Sequence, residues 1–182
     1  MRSCAFSIIF VFCLTALLGC QARKPLTAPS GQVGLALIFP ESVLRYEMRG
    51  DQMFLAPEFV SEPALPAYPA HLLRAGLPEQ VICVEVDIDT GGEVFATREL
   101  TDTAGCPTVD AQPDGAFYDV AVTAAVSWQF LAAAVCTFPA NIEANDRCEG
   151  EGVTMEPVEV RLAFAFSFRS DPGGGGVSLR KL

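Results

Sequence analysis

The chain has 182 residues, room for one domain with flanking segments, and 22 acidic against 12 basic side chains for a formal charge of −10. Such a surface repels phosphate backbones and anionic headgroups alike. That excludes nucleic-acid binding and electrostatic membrane attachment, and favours a basic partner or none.

Arg2 opens a leader whose apolar run, Ala5 to Leu18, is nearly unbroken. The run falls short of the about 20 residues that span a bilayer. Its basic start and small-residue end read as a secretory signal over residues 1–19. Leu17-Leu18-Gly19-Cys20 resembles the lipobox of bacterial lipoproteins, which implies cleavage before Cys20 and acylation of that cysteine. By the same analogy Gln21, standing where an Asp would retain the protein at the inner membrane, implies an outer-membrane anchor facing the periplasm. Each buried acyl CH₂ contributes about 0.8 kcal/mol, so lipid supplies the attachment. Removing the leader takes Arg2 and no acid, deepening the negative charge by one.

A polar, Pro-bearing tether covers 20–31, and a segment of unassigned role covers 32–62, with Val33–Phe39 reading as a strand. The Pro-rich stretch Glu62–Pro69 is incompatible with helix and sets an extended entry to a domain spanning 63–170. Ala70–Ala75 reads as a short helix stopped by Gly76. Val81–Asp89 alternates, with Ile82, Val84, Val86 and Ile88 on one face and Cys83, Glu85, Asp87 and Asp89 on the other. Thr90-Gly91-Gly92 supplies a turn and Val94–Leu100 returns as the partner strand. After a loop over Thr101–Gly115, Asp114 is placed to cap a helix over Phe117–Phe130 that buries Phe117, Ala121, Ala124 and Trp128. Val158–Phe168 carries the strongest periodicity, with Val158, Val160, Leu162, Phe164, Phe166 and Phe168 on one face. The expected fold is α+β: a small antiparallel sheet with one or two helices on one face, its core built on Trp128, Phe117 and Phe168. The Gly-rich tail over 171–182 is flexible by composition, and it lacks the Lys-Ser/Thr of a phosphate loop.

Cys4 and Cys13 belong to the leader and Cys20 to the lipid, leaving Cys83, Cys106, Cys136 and Cys148 in an oxidising compartment. Two disulfides are expected, in one of three pairings. Cys136–Cys148, closing the loop after the helix, and Cys83–Cys106 are favoured.

Catalytic chemistry finds little support. Asp89-Thr90-Gly91 matches the aspartic-protease triplet, yet that mechanism needs two carboxylates sharing a proton, and one triplet is present. A hairpin turn explains the same residues and Gly92 as well. His71 is the single histidine, on a polar position of a short helix, so it supports neither a nucleophile system nor a metal. The ladder of Glu85, Asp87 and Asp89 reads as a solvated face or a surface for a basic partner. No catalytic residue, cofactor or metal is assigned.

The order Tyr68-Pro69, strand, glycine turn, strand, helix ending in Trp128-Gln129-Phe130, then a strand of alternating phenylalanines resembles the C-terminal domain of TonB, the periplasmic end of a bacterial energy transducer. The likeness covers about residues 63–168. It implies a small sheet with helices on one face that captures an extended segment of an outer-membrane transporter as an added strand. It also implies that Tyr68 and Pro69 contribute to the partner surface, and that Val160, Leu162, Phe164 and Phe166 lie on the receiving strand. The chain departs from TonB in its lipobox, its lack of a long Pro-Lys/Pro-Glu spacer and its loop cysteines. The expectation is a lipid-anchored TonB-like module that binds an envelope protein. Two alternatives stand beside it: a self-associating structural lipoprotein forming a homodimer through an open sheet edge, and a true energy transducer with an uncleaved N-terminal anchor.

Overall fold

The computed structural model describes residues 30–39, 48–73 and 77–171. The expected leader, Cys20, the tether up to residue 29, the Gly76 stop and the tail from 172 lie outside the described residues. Nine strands and one α-helix follow in chain order: β1 (Ser30–Ile38), β2 (Gln52–Leu55), β3 (Glu58–Phe59), β4 (Gln80–Ile88), β5 (Val94–Glu99), α1 (Gly115–Val126), β6 (Phe130–Leu131), β7 (Ala134–Thr137), β8 (Thr154–Pro157) and β9 (Val160–Asp171). The main sheet is antiparallel with order β1-β9-β4-β5. A smaller sheet has order β2-β7-β8, and β3 pairs with β6. The fold is therefore a small antiparallel α+β arrangement with a single α-helix among the described residues.

Alternation determines which way the main sheet faces. Ile82, Val84, Val86 and Ile88 of β4 share the inner face with Phe164, Phe166 and Phe168 of β9, and all are buried. Asp114 caps α1, its carboxylate accepting from the Ala116 N–H at 2.9 Å. The helix lays Phe117, Ala121 and Ala125 on the sheet, an i, i+4 stripe that replaces the expected Ala124 with Ala125.

The helix ends four residues earlier than periodicity suggests. The Ser127 hydroxyl donates to the Ala124 carbonyl at 2.7 Å, and Trp128 leaves the helical path to enter the core. Gln129 then bridges to Glu93, and Phe130 starts β6. Gly92, at φ +87°, lies so close to the Phe130 carbonyl that a Cβ would overlap it. That approach lets the hairpin turn and the segment after the helix share a hydrogen bond, Phe130 N–H to Gly92 carbonyl at 2.9 Å.

Three expectations need correction. Residue 63 is not a structural boundary: β1 joins the main sheet, and β2 and β3 pair with β7 and β6. The short helix after Pro69 is a 3₁₀ turn over Ala70–Leu72. The last strand extends past Phe168 to Asp171, because β1 supplies partners for Arg169, Ser170 and Asp171. No helix among the described residues is long and apolar enough to cross a membrane.

Candidate strand-receiving edge

β9 is an interior strand. On one side β4 pairs with it from Val160 to Phe168, and on the other β1 pairs with it from Ala163 to Asp171. The strand expected to receive a partner, carrying Val160, Leu162, Phe164 and Phe166, thus has its edge occupied by β1 from Ala163 onward. Phe164 and Phe166 are core residues at 2 % and 0 % exposure, and Val160 and Leu162 are half-buried against the same core. Where an added strand would lie along Ala163–Asp171, the chain's own β1 lies instead.

β1 meets β9 over nine residue pairs, Val33 opposite Phe168 and Leu35 opposite Phe166 on the inner face, Gly34 opposite Ser167 on the outer. Gly31 falls against Tyr68, where any Cβ would overlap the Tyr68 Cβ and Cγ. Tyr68 itself packs edge-on against Phe117, with centroids 5.3 Å apart, and against Phe168 at 6.1 Å. Pro69 is buried behind it. Tyr68 and Pro69 therefore belong to the packed wall beside the β9 edge, and what Tyr68 touches there is β1.

The outer rims of this sheet differ. Ser30–Ile38 contains no charge and no proline, and beyond β1 no described strand pairs with it. β5 is six residues long, carries Arg98 and Glu99, and follows a register irregularity at Asp87/Ile88. Charge, brevity and a bulge are the devices that blunt an edge against further pairing, and β1 has none of them.

The Tyr68 hydroxyl is shielded from solvent and has no hydrogen-bond partner among the described residues. Burial raises its pKa above the usual 10.0. The folded phenol thus holds its proton more tightly than the unfolded one. Its contribution to stability is complete below 10.0 and is lost as pH rises through the folded value. Tyr68→Phe, which removes an unpaired buried hydroxyl, should leave stability at neutral pH unchanged or raised by up to about 1 kcal/mol. It should also lessen the alkaline loss, to which Tyr118, likewise raised by burial, contributes as well. Denaturant titrations on both sides of about pH 10 read both effects.

The acidic ladder on the outer face is neutralised from within. Asp87 accepts from Arg161 at 2.6 Å and also pairs with Arg98, while Glu85 lies 3.3 Å from Arg98. The hydrogen bond to Asp87 holds the Arg161 guanidinium above its usual range. Asp89 does separate work: its carboxylate accepts from the Gly91 and Glu93 N–H groups at 2.8 and 2.9 Å, which makes Asp89-Thr90-Gly91 the hairpin turn. Asp87→Ala should cost about 1 kcal/mol, less at high salt, because the pairs join half-exposed arginines to mostly covered carboxylates. Urea midpoints at low and high ionic strength check this.

Both favoured disulfides form. Cys83–Cys106 and Cys136–Cys148 each have Cα atoms 5.7 Å apart. The first holds the Thr101–Pro107 loop over the outer face at β4, which is why Cys83 is 1 % exposed on a face read as solvated. His71 is exposed, and no cluster of three or more metal-ligating side chains occurs among the described residues. What sequence reasoning missed is the placement of β1. The apolar run was visible, and the glycines at 31 and 34 were the signal that its backbone lies close against something. Compared with protein-family models, curated proteins and solved structures, the chain matches none.

Proposed function

We propose that this protein is a lipid-anchored, TonB-like binding module of the bacterial envelope that captures an extended segment of a partner protein by strand addition. The nine-residue antiparallel pairing of β1 onto β9 carries this proposal: the sheet takes up a strand from outside the compact strand–helix–strand unit, at an edge walled by Tyr68 and Pro69. The antiparallel sheet with α1 over β4 and β5 supports it at the level of a small sheet carrying a helix on one face, which is as much as the resemblance implies about the fold. Backbone hydrogen bonds supply affinity in such binding, and alternate side-chain positions supply selectivity. The partner is an envelope protein offering an uncharged extended stretch, of the kind found in the periplasmic segment of an outer-membrane transporter. Anchoring through Cys20 faces the module toward the periplasm.

A second reading is favoured by one observation, an outer rim of β1 that is uncharged, proline-free and unpaired by any strand among the described residues. Two copies pairing there would form a homodimer with one continuous sheet. The two readings separate by photocrosslinking in living cells from residues placed at Gln32, Ala36 and Ser167, with mass spectrometry of the adducts. Capture of a transporter segment supports the first, and self-adducts alone move the function to a structural lipoprotein. An intact Met1 on the recovered chain, in place of an acylated Cys20, points to the energy-transducing alternative.

A further inference from the structure

The edge of β9 has a shape that selects its occupant. Gly31 is required because Tyr68 fills the space a side chain would take. Gly34 faces Ser167, whose hydroxyl would lie 2.6 Å from any Cβ there. Between and beyond these two filters, Val33 and Leu35 project to the inner face opposite Phe168 and Phe166. No position along the strand carries a charge.

β1 pairs with β9 over as long a stretch as β4 does but adds little to the buried core. Of the buried core cluster it contributes Val33, while β4, β9, α1 and Trp128 supply most of the rest. α1 lies over β4 and β5, at the other end of the sheet. Two glycines in nine residues raise the entropy lost when the strand orders. Leu37 and Phe39 at its far end are 42 % and 82 % exposed. The aromatic members of the core, Phe117, Trp128, Phe130, Phe164, Phe166 and Phe168, all come from outside β1.

We infer that the β9 edge is an exchangeable strand site of which β1 is the resident occupant. Resting on the strand-addition reading, this names the class of segment taken in exchange. It is an uncharged extended peptide with glycine facing Tyr68, apolar residues two and four positions further on, and a small residue between those two. β1 is in effect the template of the partner's motif. Partner capture is then a replacement, and the outer rim of β1 is not the principal binding edge. Tethering keeps β1 at an effective concentration of order millimolar, so a free peptide competes poorly until the resident strand is disabled.

The test uses the full-length chain carrying Gly31→Leu, whose own β1 can no longer seat against Tyr68, and the labelled synthetic peptide SGQVGLALI as probe. Anisotropy should show the peptide binding this variant at least about tenfold more tightly than the unaltered chain, because the competing strand is gone. A peptide with leucine at its second position should bind neither. Amide exchange should show loss of protection in residues 30–38 of the unaltered chain as natural peptide is added in excess. Equal affinity for both chains overturns the exchange, and so does indifference to the glycine. Binding that leaves residues 30–38 protected also overturns it, while strand addition would stand and move to the outer rim of β1. If the Gly31→Leu chain does not fold, Leu35→Asn weakens the same strand from its inward side and is held to the same outcomes. Failure of strand addition as a whole is read separately, by the absence of any envelope partner in the cellular crosslinking.

Discussion

Replacing Trp128 with alanine is expected to lower the unfolding free energy by about 3–5 kcal/mol. The indole sits just past α1 at 3 % exposure, stacked on Phe166 with centroids 5.7 Å apart and planes at 21°. Phe164 and Phe59 meet it edge-on at 5.0 and 5.4 Å. Its Nε1–H donates to the Ala64 carbonyl at 3.0 Å, which fixes the Pro-rich entry segment against the core. Alanine would therefore empty a cavity at the junction of sheet, helix end and entry segment, and also leave that carbonyl unpaired. Trp128→Phe separates the two contributions. Keeping a ring while losing the hydrogen bond, it should cost less than the alanine variant, by leaving only a smaller void and the net worth of one hydrogen bond, about 1 kcal/mol. Urea denaturation measures both, and an unchanged midpoint for the alanine variant would contradict the packing described.

Removing the Cys83–Cys106 disulfide by paired alanine substitution should cost about 3 kcal/mol. Its cysteines are 23 residues apart, against 12 for Cys136–Cys148, so loop-closure entropy makes the second bridge worth only a few tenths less. The larger difference is local. Cys83 is buried on β4 beneath the Thr101–Pro107 loop, and its loss uncovers the outer face of the strand beside β9. Exchange in that loop should rise sharply in the Cys83/Cys106 variant and stay unchanged in the Cys136/Cys148 variant. Peptide mapping of the unaltered domain without reductant should find no free thiol among the four.

Much of this fold was legible in the residues. Period-2 patterning in Ile82–Ile88 and in Leu162–Phe168 locates β4 and β9 to within a few residues, because β4 buries that face completely and β9 buries it from Phe164 to Phe168. Asp114 announced the helix start, since a carboxylate before an apolar segment satisfies a free N–H of the first turn. Periodicity overshoots the helix end because Ser127, Trp128 and Phe130 keep helical spacing in sequence while local hydrogen bonds turn the chain away. The short strands β2, β3, β6, β7 and β8 went unseen, being two to four residues long and too brief to show a period. The candidate site was legible only in part. Tyr68-Pro69 and the phenylalanine strand were found, but register is a tertiary property, and nothing local says that Val33 will lie opposite Phe168. The acidic ladder misled for a related reason, as Arg161 is 74 residues from the Asp87 it pairs with.

Strand exchange requires that β1 separate from the sheet it completes. Residue-resolved amide exchange on the isolated protein tests that most directly. The prediction is that residues 30–38 exchange through a local opening at least about 2 kcal/mol below global unfolding, while the buried amides of β4 and the β4-facing side of β9 exchange only with the whole domain. If β1 exchanges at the same free energy as β4 and β9, it is a permanent strand, and no partner segment takes its place.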